Sequence, residues 1–193
     1  MKRMGLLLVL IFGAAWSGYG QIPGAPAAPA AAATSKSVFL DAVESTGNST
    51  TVNHWRDISG DYSQTKTSSK ELEITVRNMS QLPGEFEIEW YFFGKPANGS
   101  GRFLYDQGSK KISVAPGAFQ KVPVESKGLS AHTVRGYYWY GYNYTSGDKS
   151  DGWVIRAKVG EEVVRVKASN ALLEQMASDP AGFSKLTSKA KKK

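Results

Sequence analysis

From Leu72 onward the chain alternates. Leu72, Ile74 and Val76 take every second position, with Glu71, Glu73, Thr75 and Arg77 between them. After the turn-forming stretch 78–84, Phe86, Ile88, Trp90 and Phe92 resume the pattern against Glu85, Glu87 and Glu89. Successive side chains on a strand point to opposite faces, so this spacing predicts two antiparallel strands, each with one dry and one wet face.

The same reading places further strands along the chain. Residues 38–45 form a plausible first strand, and 100–106 another. Residues 111–114 and 119–124 flank Pro116-Gly117, a pair suited to the centre of a type II turn. Pro123 lacks the N–H a ladder needs, which puts its strand at an edge or a bulge. Trp153, Ile155, Ala157 and Val159 alternate with Arg156 and Lys158. Gly160-Glu161 fits a two-residue turn, and Val164, Val166 and Ala168 would complete the inner face. Ser169 or Asn170 can cap a helix over 171–177, with Pro180 ending it. Two stretches lack the alternation: 47–69, too long for a loop in a compact domain, so that a strand or a functional excursion is expected within it, and 126–150, which reads as an aromatic loop.

Roughly seven to nine short strands and one terminal helix predict an all-β fold. The expected architecture is an immunoglobulin-like antiparallel β-sandwich with a short C-terminal helix, with an antiparallel barrel as the alternative. The inner row would hold Phe86, Ile88, Trp90, Trp153 and Ile155. On the wet side, the Glu85/Glu87/Glu89 row and the basic residues Arg156, Lys158, Arg165 and Lys167 are expected to neighbour one another in one sheet.

The ends differ in composition. Lys2 and Arg3 precede the apolar run 6–15, and Gly18 and Gly20 suit a signal peptidase, so residues 1–20 read as an export leader. No membrane-spanning segment is expected in the mature form, and the expected compartment is periplasm, outer-membrane surface or extracellular space. Residues 21–37 are an Ala/Pro-rich linker, 38–180 the β-sandwich domain, and 181–193 a Lys-rich tail expected to be disordered.

Charge narrows the partners. The formal net charge is +7, from 24 basic and 17 acidic residues. Lys2, Arg3, Lys185, Lys189, Lys191, Lys192 and Lys193 supply all of that excess, leaving 17 basic against 17 acidic residues elsewhere. A basic nucleic-acid face on the domain is therefore not implied. The five tail lysines are a candidate electrostatic anchor to an anionic surface or acidic glycan, or a solubilising end. Cysteine is absent and only His54 and His132 are present, which excludes disulfides, thiolate sites and cysteine nucleophiles.

Three stretches carry a resemblance: LEITVRNMSQLPGEFEIEWYFFGKP (72–96), YTSGDKSDGWVIRAKVG (144–160) and VKASNALLEQMASDP (166–180). The chain resembles a verrucomicrobial family of secreted immunoglobulin-like β-sandwich proteins, which includes an Akkermansia protein encoded beside type IV pilus-related genes. The resemblance implies export and a surface or adhesion role, and it brings no catalytic residues.

The most function-like stretch is aromatic: Tyr137, Tyr138, Trp139, Tyr140, Tyr142 and Tyr144. Such rings suit stacking on a sugar or a protein partner, or alternatively fill a core. Asp57, Asp61 and the glutamate row could supply a carboxylate pair for glycoside hydrolysis, a weaker alternative, since residues two apart on a strand more often form a solvated face; Ser130 with His132 lacks a nucleophile elbow. No catalytic residue, cofactor or metal site is assigned. The expectation is a non-enzymatic binding or scaffold protein of the bacterial envelope or surface, with a pilus- or adhesion-associated role as what the resemblance implies. Its partner would be a protein, a glycan or a second copy of itself, and not nucleic acid. The alternative is a carbohydrate-binding module using residues 137–144.

Overall fold

The computed structural model describes residues 37–55, 62–136 and 143–188. The leader, most of the linker, Asp57, Asp61, residues 137–142 and Lys189 to Lys193 lie outside the described residues. The described chain is all-β and antiparallel, closed by two short helices: β1 Val38–Trp55, β2 Tyr62–Asn78, β3 Gly84–Pro96, β4 Phe103–Val114, β5 Phe119–Glu125, β6 Leu129–Arg135, β7 Asn143–Val159, β8 Glu162–Ala168, α1 Ala171–Ser178 and α2 Pro180–Thr187.

Two layers face each other. One is β1-β2-β5 and the other is β4-β3-β7-β8. The alternation read from the sequence explains their contact. Leu72, Ile74 and Val76 of β2 and Val122 and Val124 of β5 meet Phe86, Ile88 and Phe92 of β3 and Ile155 and Ala157 of β7 in one core. β5 has β2 as its single strand neighbour among the described residues, so Pro123 sits on an edge. Gly117 takes φ +70° in the turn that carries the chain from β4 to β5 across the layers, closed by Ala118 N–H to Ala115 O at 3.1 Å. Trp153 is buried and donates its indole N–H to Glu44 Oε2 at 2.8 Å, while Lys70 pairs with the same carboxylate. Partial burial resists ionisation of Glu44, but these two donors outweigh it and hold its pKa below the ordinary value. Trp90 packs against the core from its margin and is only partly buried, lying over Gly108.

The acidic and basic rows do meet, but only in part. Glu87 lies opposite Lys158 and Glu89 opposite Arg156, with Lys158 Nζ 3.4 Å from Glu89 and 3.9 Å from Glu87. Arg165 and Lys167 depart from the expected row. β8 carries a bulge: Lys158 pairs with Val163 and Ala157 with Arg165, leaving Val164 as an extra residue. One inserted residue reverses the facing of everything beyond it. Val164 therefore joins the central core, whereas Val166 and Ala168 join a second cluster. Arg165 Nε instead donates to Val38 O at 3.0 Å, and Lys167 reaches Asp41 at 3.7 Å, so both tie β8 to β1.

That second cluster corrects the expected wet face. Phe93 and Val154, neighbours in sequence of the buried Phe92 and Ile155, point the other way and are equally buried. Leu173, Ala177 and Leu186 of the two helices cover them. The expected disordered tail is thus helical through Thr187: α1 ends before Pro180 as expected, and Pro180 then starts α2 at its first turn. Asn170 caps α1 by accepting from Leu173 N–H at 2.9 Å, and Asp179 caps α2 by accepting from Gly182 N–H at 2.8 Å. Phe183 meets the Tyr91 ring edge-on at 4.9 Å and lies 3.9 Å from the Arg156 guanidinium. Burial, reinforced by Glu89, pushes the Tyr91 hydroxyl up to about 12, so it stays protonated and donates to Glu89 Oε2 at 3.2 Å.

Phe92 is fully buried and Trp90 is not, so the two aromatic positions should differ on truncation. Phe92→Ala is expected to cost about 3–5 kcal/mol, and Trp90→Ala distinctly less. Urea midpoints of the two variants against the parent chain check this.

Candidate binding surface

Both stretches that lack the alternation contribute strands. β1 and β2 run on past the core, and β6 and the first residues of β7 join them, giving a four-stranded arm in the order β1-β2-β6-β7. Pairing covers Ser49 to Trp55, Tyr62 to Ser68, Leu129 to Arg135 and Asn143 to Gly147. Seven residues of strand extend the sheet by about 23 Å. No described side chain in these segments is fully buried. The arm has no apolar core, so hydrogen bonds between polar side chains set its register. Tyr62 hydroxyl donates to Asn53 Oδ1 at 2.8 Å, and Gln64 Nε2 donates to the same oxygen at 3.1 Å. Thr65 Oγ1 meets His132 Nδ1 at 2.9 Å, Thr67 Oγ1 meets Ser130 Oγ at 2.7 Å, and Thr133 and Thr145 meet at 3.2 Å. Ser130 and His132 each have an arm hydroxyl as partner, and neither bonds the other in these contacts.

The sequence missed the arm because the usual signal is absent. Residues 50–54 and 63–67 hold Thr, Ser, Asn, Gln, one His, one Lys and one Val, so no apolar period exists to detect. The residual signal was their Thr content, which suits a pleated surface.

The described residues that flank the aromatic stretch belong to this arm. Arg135 pairs with Asn143 and with Tyr62, and Tyr62 pairs with Trp55, so the ends of both hairpins come to the same place. Tyr137, Tyr138, Trp139, Tyr140 and Tyr142 span the β6–β7 connection and lie outside the described residues. Tyr144 lies within them, opposite Val134, and is 56% exposed. It is surface, not core.

At the base of the arm β7 passes from β6 to β3, and Asp151 fixes the passage. Its carboxylate takes Lys95 Nζ at 2.5 Å on one oxygen and Arg102 Nε at 2.6 Å on the other. Burial opposes its charge, but the two cations outweigh burial and keep its pKa below the ordinary value. Of the tail lysines, Lys185 lies in the last turn of α2 beside this cluster, and Lys189, Lys191, Lys192 and Lys193 lie outside the described residues. Among the described residues no group of three or more His, Asp or Glu is placed to hold a metal ion, and no helix is long and apolar enough to cross a membrane.

No family model matches the chain, and no curated protein matches it. Solved structures similar to parts of it include a β-glucuronidase from glycoside hydrolase family 2 (11% identity, 62% of this chain, 10% of that one, TM-score 0.29). A structural-genomics target is similar over 66% of this chain and 92% of its own (13% identity, TM-score 0.28). A β-glucosidase from Listeria innocua is similar over 45% of this chain and 16% of its own (16% identity, TM-score 0.25). The chain thus spans a small fraction of the two glycosidases, and similarity this slight carries no argument about function.

Two tests follow from the arm and its base. Gly147 adopts φ +91°, and a Cβ there would stand 2.3 Å from Ser130 O, so Gly147→Ala should unpair the β6–β7 ladder at a cost of about 1–3 kcal/mol. Amide exchange at 131–135 should accelerate while that of 72–76 stays slow. Asp151 titrates lower folded than unfolded, so its contribution is present above the ordinary carboxylate value of about 4 and is lost as pH falls through the folded value. Asp151→Asn should flatten that part of the acid limb in a stability-against-pH curve.

Proposed function

We propose that the chain is an exported binding or scaffold protein of the bacterial envelope or surface, acting through the end of its polar arm and not by catalysis. One observation carries the reading. Two hairpins that the sandwich does not need run side by side beyond the core and bring the flanks of the aromatic stretch, Arg135 and Asn143, together with Trp55 and Tyr62. A polar sheet with no buried side contributes little to the stability of the core, and aromatic rings beside Arg are the side chains that anchor interfaces. The leader-like first twenty residues and the verrucomicrobial resemblance support an exported, surface-associated role.

The exposed Tyr144 ring favours a second reading, a carbohydrate-binding module, since an unshielded ring at a sheet surface can stack on a sugar. Photo-crosslinkers placed at Val52 and Tyr144, exposed on the arm, and at Phe119, exposed on the β1-β2-β5 layer, separate the readings. In native cells the arm positions should capture one envelope protein that Phe119 does not. Capture from all three positions alike, or from none, would sink the arm as the interaction site. Glycan-array binding that disappears with Trp139→Ala would select the carbohydrate reading, and turnover of a glycan or ester by pure protein would overturn both.

A further inference from the structure

We propose that the cleft between the 97–102 loop and the end of α2 is a binding site for a phosphomonoester group. Ser100 and Arg102 form one wall, Lys185 and Ser188 the other, and Met176 and Leu186 an apolar side, around a space of about 470 Å³. The site lies apart from the arm's end, so it does not rest on the function proposed above.

The charge count points to the ligand. Asp151 is the one carboxylate in the lining, and both its oxygens are already engaged, by Lys95 and by Arg102 Nε. The two terminal nitrogens of Arg102 have no partner among the described residues, and Lys185 has no carboxylate partner there. Arg102 and Lys185 in the lining, with Lys95 just outside it on the other oxygen of Asp151, set three cations against one anion and leave an excess of two positive charges. A phosphomonoester carries about −1.5 to −2 at neutral pH, whereas a carboxylate would leave one charge uncompensated. Asp151 also holds the guanidinium in place by its Nε edge, leaving the outer fork free for two parallel hydrogen bonds to phosphate oxygens.

Helix C-termini ordinarily repel anions through their exposed carbonyls. In α2 the carbonyls of Phe183, Ser184 and Lys185 are occupied. Thr187 Oγ1 donates to Phe183 O at 3.1 Å, Ser188 N–H to Ser184 O at 2.9 Å, and Ser188 Oγ to Lys185 O at 3.2 Å. The space exceeds what a bare phosphate fills, and Met176 and Leu186 suit an organic body carrying it.

The test titrates the folded chain with inorganic phosphate, following backbone amides by NMR, and in parallel sediments it with phosphatidylcholine vesicles with and without phosphatidic acid. Saturating shifts at 100–102 and 185–188, or sedimentation with the acidic vesicles alone, are expected. Arg102→Gln should weaken whichever binding is seen by about tenfold or more. Arg102→Lys keeps a cation for Asp151 and guards against a folding artefact; it should retain the parent's thermal midpoint yet bind several-fold more weakly, about half a decade or more. Sedimentation lost in Arg102→Gln identifies a lipid headgroup as the source, and phosphate binding without sedimentation identifies a soluble phosphomonoester. A Lys110→Gln/Lys111→Gln double variant on β4 should leave affinity unchanged. Equal weakening by that variant, or no saturable response to either probe, overturns the site.

Discussion

A strand longer than its neighbour leaves backbone donors and acceptors that something else must satisfy, and this obligation shapes the molecule. β2 pairs with β5 over Glu71 to Arg77 and with β6 over Tyr62 to Ser68. β7 likewise pairs with β6 up to Gly147 and with β3 from Asp148 onward. β6 is the piece that closes both gaps. At the handover on β2, Ser126 supplies what no strand can: its N–H donates to Lys70 O at 2.8 Å and its hydroxyl accepts from Lys70 N–H at 2.9 Å. Beside it, Glu125 accepts from Ser69 Oγ at 2.6 Å and from Asn48 Nδ2 at 3.0 Å, where β1 is bulged between Thr46 and Ser49. Those hydrogen bonds, Ser69 foremost, keep the Glu125 carboxyl below its usual pKa.

Without cystine, the sandwich depends on burial from both sides of its central strands. Phe92 and Phe93 in β3, and Val154 and Ile155 in β7, each have no measurable exposure, so these strands bury both faces while remaining antiparallel. The helices make this possible. They also place Arg156 among Phe183, Tyr91 and Glu89 with its Nε buried and unpartnered in the structure. A cation over an aromatic face, with a carboxylate 3.7 Å away, offsets part of that burial. Exposed ion pairs are worth little, so the contacts of Glu87 and Glu89 act less as a source of stability than as a preference for one strand neighbour over another.

The sequence made the sandwich legible wherever one face is greasy and the other charged. β2 beyond Lys70, β3 up to Phe92, β5 and β7 from Ile155 follow that pattern, and their facing could be read residue by residue. It failed in three places for three reasons. The bulge at Val164 leaves no mark in composition, yet it swaps the roles of Val166 and Arg165. Phe93 looks like a second member of a buried run until helices are available to cover it. The arm is polar on both sides, so periodicity has nothing to act on. The candidate surface was half legible: Tyr137 to Tyr144 stood out as aromatic, but the strands that flank it did not.

The arm is also where register is least protected. A strand with two polar faces can slip by one residue without exposing anything apolar, so hydrophobic patterning gives no penalty. Here the penalty comes from geometry instead. A slip would part Thr65 from His132, Thr67 from Ser130 and Asn53 from Tyr62, and would move Gly147 from the one place where its backbone can lie against Ser130. The arm's outer strands, β1 and the first residues of β7, have no further strand neighbour among the described residues, and edges rich in polar side chains are less prone to pair with arbitrary chains. An extension built this way is held in one register by matched hydrogen bonds along its strands and not by a buried apolar face.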